Sequence, residues 1–465
     1  MREPDECSRV SHREVFVEGT ASDFGVATLR SDTEIEVFTY AGTSSTRPAL
    51  RVRVERPTGT EVTGHEPLTW SGGQVVTEVS FACEPGRVAI TVTQCNLSAS
   101  PAMSEPPALE FTSQDPLVWW LGGVTNYVAH ADPRGNLQAF WPYGTDWKAM
   151  PLSEGVRVEA ARPQQLAPGQ QRFTVWRYGW FASLEDFSAR LTPAWYPAHP
   201  VVEAGDEVTL QNLDGVAHAP GLSVFLNHPN QLLTAPTGIH TVTIIQPEGA
   251  SALQLGWAPP LHDLVVSALT GPLPADLSAW FLTWLATRDS ADLDELDIAI
   301  AEGLASPTPF AVAAAADAAP LLGRTLLADA ADALARLLSA PPLPDGVFLA
   351  GVRLYAQALA AESGVSDDVL AALWSPYTRP SLESQLLTDP DAATAHAPSL
   401  AAAIGNGLPG HVPHGCARET ALLKVALAGN LSPADLTRYA QLHVTTERWL
   451  RAGNPSPTQL AWLLW

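Results

Sequence analysis

Aromatic and polar side chains interleave most densely between Trp119 and Trp147. Trp119, Trp120, Tyr127, Phe140, Trp141, Tyr143 and Trp147 share that stretch with Asn126, His130, Asp132, Asn136 and Asp146. Flat aromatic faces beside amides and carboxylates suit sugar rings, whose C–H faces stack while their hydroxyls find hydrogen-bond partners. On that reading Trp119, Trp120, Trp141, Tyr143 and Trp147 bind substrate. Asp132 and Asp146 then supply hydrogen bonds, or the two carboxyl groups that glycoside hydrolysis requires. The same aromatics suit the inside of a β-sandwich better still, because rings of this size dominate cores.

Two further groups carry chemistry by type. In SADLDELDIAIAEG (290–303), Asp294 and Asp297 share a helix face. Acids in a first helical turn are also what the helix dipole favours, with Asp289 or Ser290 as the cap. In GHVPHGCARE (410–419), His411, His414, Cys416 and Glu419 fall close together, and imidazole with thiolate can hold zinc. His-x-x-His-x-Cys matches no common ligand spacing, and no distant set completes it. A loop leading into a helix that begins near Cys416 accounts for it better, so neither metal nor cofactor is expected. His218, His228, His240 and His262 have no partner motif around them.

Nucleotide chemistry is disfavoured. GxxxxGK[ST] is missing, and GNGLPG (405–410), a GxGxxG match, follows the helical stretch AAAI where a strand is required. A GxSxG nucleophile elbow is also missing.

The chain has 465 residues, 46% hydrophobic and 16% charged, which describes an ordered protein of two or three domains. Its 26 basic and 49 acidic residues give a formal charge of −23. Such a surface repels phosphate backbones and anionic lipid, so nucleic acid and membrane are not expected partners. MREPDECSRVSHREVF lacks the basic segment and apolar run of a signal peptide, which makes a cytoplasmic location the expectation. Among Cys7, Cys83, Cys95 and Cys416 there is no CxxC; Cys83 and Cys95 flank a turn and a strand, where a bond is conceivable but unneeded.

The elements that must position these groups change character near residue 272. Before it, apolar residues alternate with polar ones: Ile35, Val37 and Thr39; Leu50, Val52 and Val54; Val75, Thr77, Val79 and Phe81; Val88, Ile90 and Val92. Period-two alternation marks sheets packed on one face. A turn-then-strand unit recurs in EPGRVAITV (84–92), APGQQRFTV (167–175), EAGDEVTL (203–210) and TGIHTVTI (237–244). Together these predict an antiparallel β-sandwich, one large or two smaller, with parts at 1–115 and 116–271. The segment 98–116 has linker composition. A helix is expected at 183–191, capped by Ser183 with Asp186 three residues on.

After 272, an all-α domain of paired helices is expected over 272–465. Leu277, Trp280, Phe281, Trp284 and Leu285 form one helical stripe, and Phe348, Val352, Tyr355 and Leu359 another. Ser432-Pro433 with Asp435, and Ser456-Pro457 with Gln459, read as helix starts.

This order of parts, with LVWWLGGVTNY, AFWPYGTDW and GNGLPG, resembles the six-hairpin glycosidases, in which a β-supersandwich precedes a ring of paired helices. The resemblance implies a carbohydrate-active protein. One departure is clear: about 190 residues are too few for twelve typical helices with long loops. The family's catalytic acids map to no position here. The function expected is therefore carbohydrate binding or glycoside hydrolysis, with an oligosaccharide held between the halves. The alternative is a non-enzymatic scaffold whose helical half meets another protein. A metal-dependent hydrolase centred on His411, His414 and Cys416 is the third reading.

Overall fold

The computed structural model describes residues 50–55, then 61–143 and 147–270 with short gaps, 293–339 and 392–465. Strand segments within 14–39 and helical positions within 350–357 are also described. The expected helix at 274–287, and Phe348, Val352, Tyr355 and Leu359, lie outside those residues.

Antiparallel sheets come first and helices follow. A seven-stranded sheet runs from Glu14–Val17 through Gly25–Ser31, Glu34–Thr39, Leu50–Val54, Leu109–Thr112 and Gly155–Ala160 to Trp147–Leu152. An eight-stranded sheet faces it. Its order is Leu117–Leu121, Asn126–Ala131, Leu137–Tyr143, Gln171–Phe181, Arg87–Asn96, Val75–Glu84, Leu68–Gly72 and Glu61–His65. Alternation supplies the core between them: Leu50, Val52 and Val54 point inward from one sheet, and Val79, Ile90 and Val92 from the other. Phe111, Phe140 and Trp176 fill the centre.

Both sheets use strands from either side of residue 115. Leu109–Thr112 pairs with Gly155–Ala160, and Arg87–Asn96 with Gln171–Phe181. One large sandwich takes in the described strands up to Phe181, apart from the two-stranded pair Ala102–Ser104 and Gln164–Leu166. Within it, Cys83 faces Val88 while Cys95 faces Val76. At about 3.3 Å per residue the two cysteines are separated by roughly 20 Å along the ladder, and Cys95 is free. Nearness in sequence does not become nearness in a hairpin whose arms are this long.

Ser183 begins the helix Leu184–Leu191 by accepting the Asp186 N–H at 3.1 Å, as its sequence predicted. A smaller β body follows. Its four-stranded sheet is ordered Val201–Glu203, Gly249–Ala258, Gly238–Gln246, Val216–His218, and its three-stranded sheet Val208–Leu210, Asn230–Thr234, Ser223–Asn227. Val201–Glu203 and Gly249–Ala258 pair in parallel, against the antiparallel rule of the other ladders described. This body and Phe187 cover the outer face of the eight-stranded sheet, where Trp120, Tyr127, Leu137 and Phe181 meet Leu210, Leu233, Val242 and Trp257. Strands buried on both faces read as apolar runs, which is why LVWWL lacks alternation.

Helices begin at Leu261–Thr270, directly after the last strand and ahead of residue 272. Leu293–Ala305, Pro309–Leu322 and Thr325–Leu338 are joined to one another by short loops and pack together. Pro309–Leu322 is apolar nearly all round and buried, which places it at the centre of its group. Ser432 caps the 20-residue helix Pro433–Ala452. Ser456 and Gln459 close a reciprocal capping box on Pro457–Leu464. Among the described residues no helix is long and apolar enough to cross a membrane.

Candidate functional site

The aromatic stretch is mostly inside the protein. Trp147 is 4% exposed and packs edge-on in the sandwich core with its ring 5.0 Å from Trp176. Trp119 packs partly buried against the same core. Trp120, one residue on, points to the other face; it is also 4% exposed and donates its Nε1–H to the Ala252 carbonyl at 2.8 Å. Trp141 lies beside Phe181 at 5.9 Å, and Gly179 makes room for its ring. Stacking on a sugar needs an open aromatic face, and Trp120 and Trp147 have none. The reason is positional: adjacent strand residues face opposite sides, and here both sides are covered. Tyr143 ends its strand with its side chain outside the described residues, as are Asp132 and Asp146.

The segment flagged for zinc forms the seam between the sheets and the helices. Gly405, Asn406 and Gly407 are successively left-handed (φ 82°, 51° and 71°), and Gly410 at 75° lies flat against Trp120. A Cβ on Gly410 would stand 2.3 Å from the indole Cδ2. The Gly410 N–H donates to the Tyr196 hydroxyl at 2.7 Å, and the Tyr127 hydroxyl donates to the Pro409 carbonyl. Burial raises both phenols, Tyr196 to about 12, so both remain protonated. His411 turns inward onto Gly405; burial, then the nearby His414, pulls its pKa down to about 4. His414 is exposed, and Cys416 directs its thiol at the Ala403 and His414 carbonyls at 3.7 and 3.5 Å. Burial pushes that thiol up to about 11, with Glu419 adding to the effect, which disfavours the thiolate that zinc needs. Among the described residues no group of three or more His, Cys, Asp or Glu side chains is placed to hold a metal ion.

A different set of side chains converges where the helix Pro433–Ala452 crosses the smaller β body. A solvent-open groove of about 570 Å³ is lined by His199, Val202, Gly205, Asp206, Glu207 and Arg448. One wall is the turn after Val201–Glu203. The Asp206 N–H closes it onto the Glu203 carbonyl at 3.1 Å, and Gly205 takes φ 92°, a backbone state that glycine adopts without strain. A Cβ at Gly205 would meet nothing within 4 Å, so space lies open in front of the turn. Beneath it, the fully buried Trp257 donates its Nε1–H to the Asp206 carbonyl at 3.0 Å.

The opposite wall is helical. Trp449 seats the helix against Val201, and Gly256 permits the approach, since a Cβ there would be 3.0 Å from the indole. Glu203 then gathers the arginines beside Trp449. It accepts from Arg451 Nη2 at 2.7 Å and Nη1 at 3.0 Å, and from Arg448 Nε at 2.9 Å. The Arg451 hydrogen bond, with help from Arg448, holds the Glu203 carboxyl below the usual range against the opposing effect of burial. Arg448 therefore enters the groove with its Nε–H bound to a carboxylate that it shares with Arg451. Asp206, Glu207 and His199 are exposed and make no ion pair among the described residues.

None of these groove residues stood out in the sequence. EAGDEVTL marked a turn correctly, and its two adjacent acids were the available signal. Arg448 and Arg451, three apart on a helix, were a second.

No family model matches the sequence, and no curated protein matches it. Among solved structures, the chain is similar to a polysaccharide lyase with a TM-score of 0.42 and 12% identity, over 84% of this chain and 72% of the lyase.

Proposed function

We propose that this protein binds an oligosaccharide in the groove between its β part and its helices. The observation that supports the reading is the polar, solvent-open cleft lined by His199, Asp206, Glu207 and Arg448. Carboxylates, imidazole and guanidinium offer many hydrogen-bonding positions with one apolar contact, Val202, which suits a polyhydroxylated ligand better than an apolar one. Asp206 and Glu207 stand on one wall, whereas glycoside cleavage uses carboxyl groups on both sides of the bond. Binding is therefore the activity assigned to the groove. Asp132 and Asp146 stay candidates for acid–base groups from sequence only.

The test is a panel of oligosaccharides read by melting temperature and tryptophan fluorescence, with Trp257 under the groove as reporter. A saturating ligand raises the apparent stability by about 2.7 kcal/mol at a hundredfold excess over Kd. Loss of that shift in Asp206→Asn or Glu207→Gln places the ligand in the groove. A panel that moves neither signal removes the reading.

An interaction module is the second reading, favoured by Phe225 and Leu226, which are 58% and 78% exposed on the edge strand Ser223–Asn227. Leu436 and Val444 are exposed on Pro433–Ala452, where the helical part would meet a partner.

A further inference from the structure

We infer that two copies of this chain pair through the strand Ser223–Asn227, which joins their three-stranded sheets into one. The inference goes beyond the oligosaccharide reading and does not depend on the groove. Ser223–Asn227 is the outer strand of its sheet, bonded to Asn230–Thr234 on one side. Among the described residues no hydrogen bond reaches its other side. Of the large apolar side chains described, its Leu226 is the most exposed, and Phe225 beside it is exposed as well. Other edges are defended against pairing. Trp147–Leu152 carries Lys148 and Pro151, and Glu61–His65 has a register shift between Val62 and Gly64. At Val216–His218 the Gln231 side chain accepts the Ala217 N–H at 3.2 Å and donates to the Gly215 carbonyl at 2.6 Å. Ser223–Asn227 has no charged residue, no proline and no shift in register.

Charge and sequence both select a second copy as the occupant. From Gly215 to Pro247 the chain has no Asp, Glu, Lys or Arg, although it contains 26 basic and 49 acidic residues in all. Two molecules of formal charge −23 repel wherever their acidic surfaces meet. Their approach is least opposed across this uncharged run, and the open edge lies inside it. The strand also complements itself. Turned end for end about a twofold axis at Phe225, Ser223 faces Asn227, Val224 faces Leu226, and Phe225 faces its own counterpart. Apolar residues then meet apolar ones and polar residues meet polar ones, which is the requirement for an isologous contact. An antiparallel strand sends alternate N–H and C=O groups to each side, so the same pairing satisfies the backbone groups that the edge leaves open.

The experiment is sedimentation velocity on the full chain. Five residues a side make a small interface, so a weak dimer is expected, with Kd on the order of 10–100 µM. It should tighten between about 20 and about 200 mM salt, as screening weakens the repulsion between two acidic molecules. Phe225→Lys and Phe225→Glu each place like charges opposite one another across the axis, and each should weaken association at least about tenfold. Mixed in equal amounts at the lower salt, the two variants should associate more strongly than either does alone. Melting temperatures equal to that of the parent chain confirm that both variants fold. A chain that stays monomeric to about 300 µM overturns the proposal and leaves the edge to a strand from another protein. A dimer that both variants retain, or one that weakens as salt rises, places the contact elsewhere and overturns this edge. A mixture no stronger than its components overturns the pairing centred on Phe225.

Discussion

Glu203 and Arg451 meet at 2.7 Å although 248 residues separate them in the chain. The guanidinium side chain is only 8% exposed, and its second nitrogen reaches the Pro259 carbonyl at 2.9 Å. This contact joins the helix Pro433–Ala452 to the smaller β body beside the Trp449 packing against Val201.

Replacing Glu203 with Gln should loosen that joint. Arg451 would keep Glu447 at 3.5 Å but lose its nearest carboxylate. The expected cost is about 1–3 kcal/mol, at the low end because Glu203 itself is 39% exposed. Urea unfolding measures it. Because the folded carboxyl titrates below its unfolded value, its contribution is complete above about pH 4.3 and is lost as pH falls through the folded value. Glu203→Gln should erase that acid limb of the stability curve, and an unchanged limb would contradict the assignment.

His411 acts in a higher window. Folded, its pKa is about 4 against an ordinary 6.5, so the unfolded chain takes up a proton first as pH falls. The His411 contribution should therefore decline between about pH 6.5 and 4 and level off below. His411→Gln should flatten the melting temperature over that range while leaving the Glu203 limb in place.

Gly410→Ala and Gly415→Ala separate collision from backbone strain. Both glycines have φ of 75°, but only Gly410 would drive a Cβ into Trp120, whereas Gly415 faces open space. Alanine at Gly415 should cost about 1–2 kcal/mol for its left-handed backbone. At Gly410 the cost should rise by a further ~1–3 kcal/mol, as the indole is displaced. Equal melting temperatures for the two variants would show that the seam yields freely.

Trp147→Ala should destabilise the large sandwich by about 3–5 kcal/mol, since the ring is packed against Trp176. Saccharide affinity, measured below the melting transition, should be unchanged. Lost affinity in a folded variant would return this tryptophan to the binding surface.

What was legible in the sequence was local. Ser183, Ser432 and Ser456 cap the helices they announce, because a cap needs only residues two or three positions away. Leu50, Val52 and Val54 point inward as their alternation requires. Trp120 shows the limit: its burial depends on Trp195, Tyr196 and Gly410, and no window around LVWWL contains them. The groove is illegible for the same reason, since the turn at Gly205 and the helix at Arg448 become neighbours only after the chain between them has folded.

The seam at Gly410 also orders events during synthesis. When the ribosome has released the strands up to Phe181, Trp120 and Tyr127 still lack the part of their cover that comes from Leu408, Pro409 and Gly410. Most of that flank is covered once Phe187 and the strands up to Ala258 emerge, and Leu408 to Gly410 complete it later.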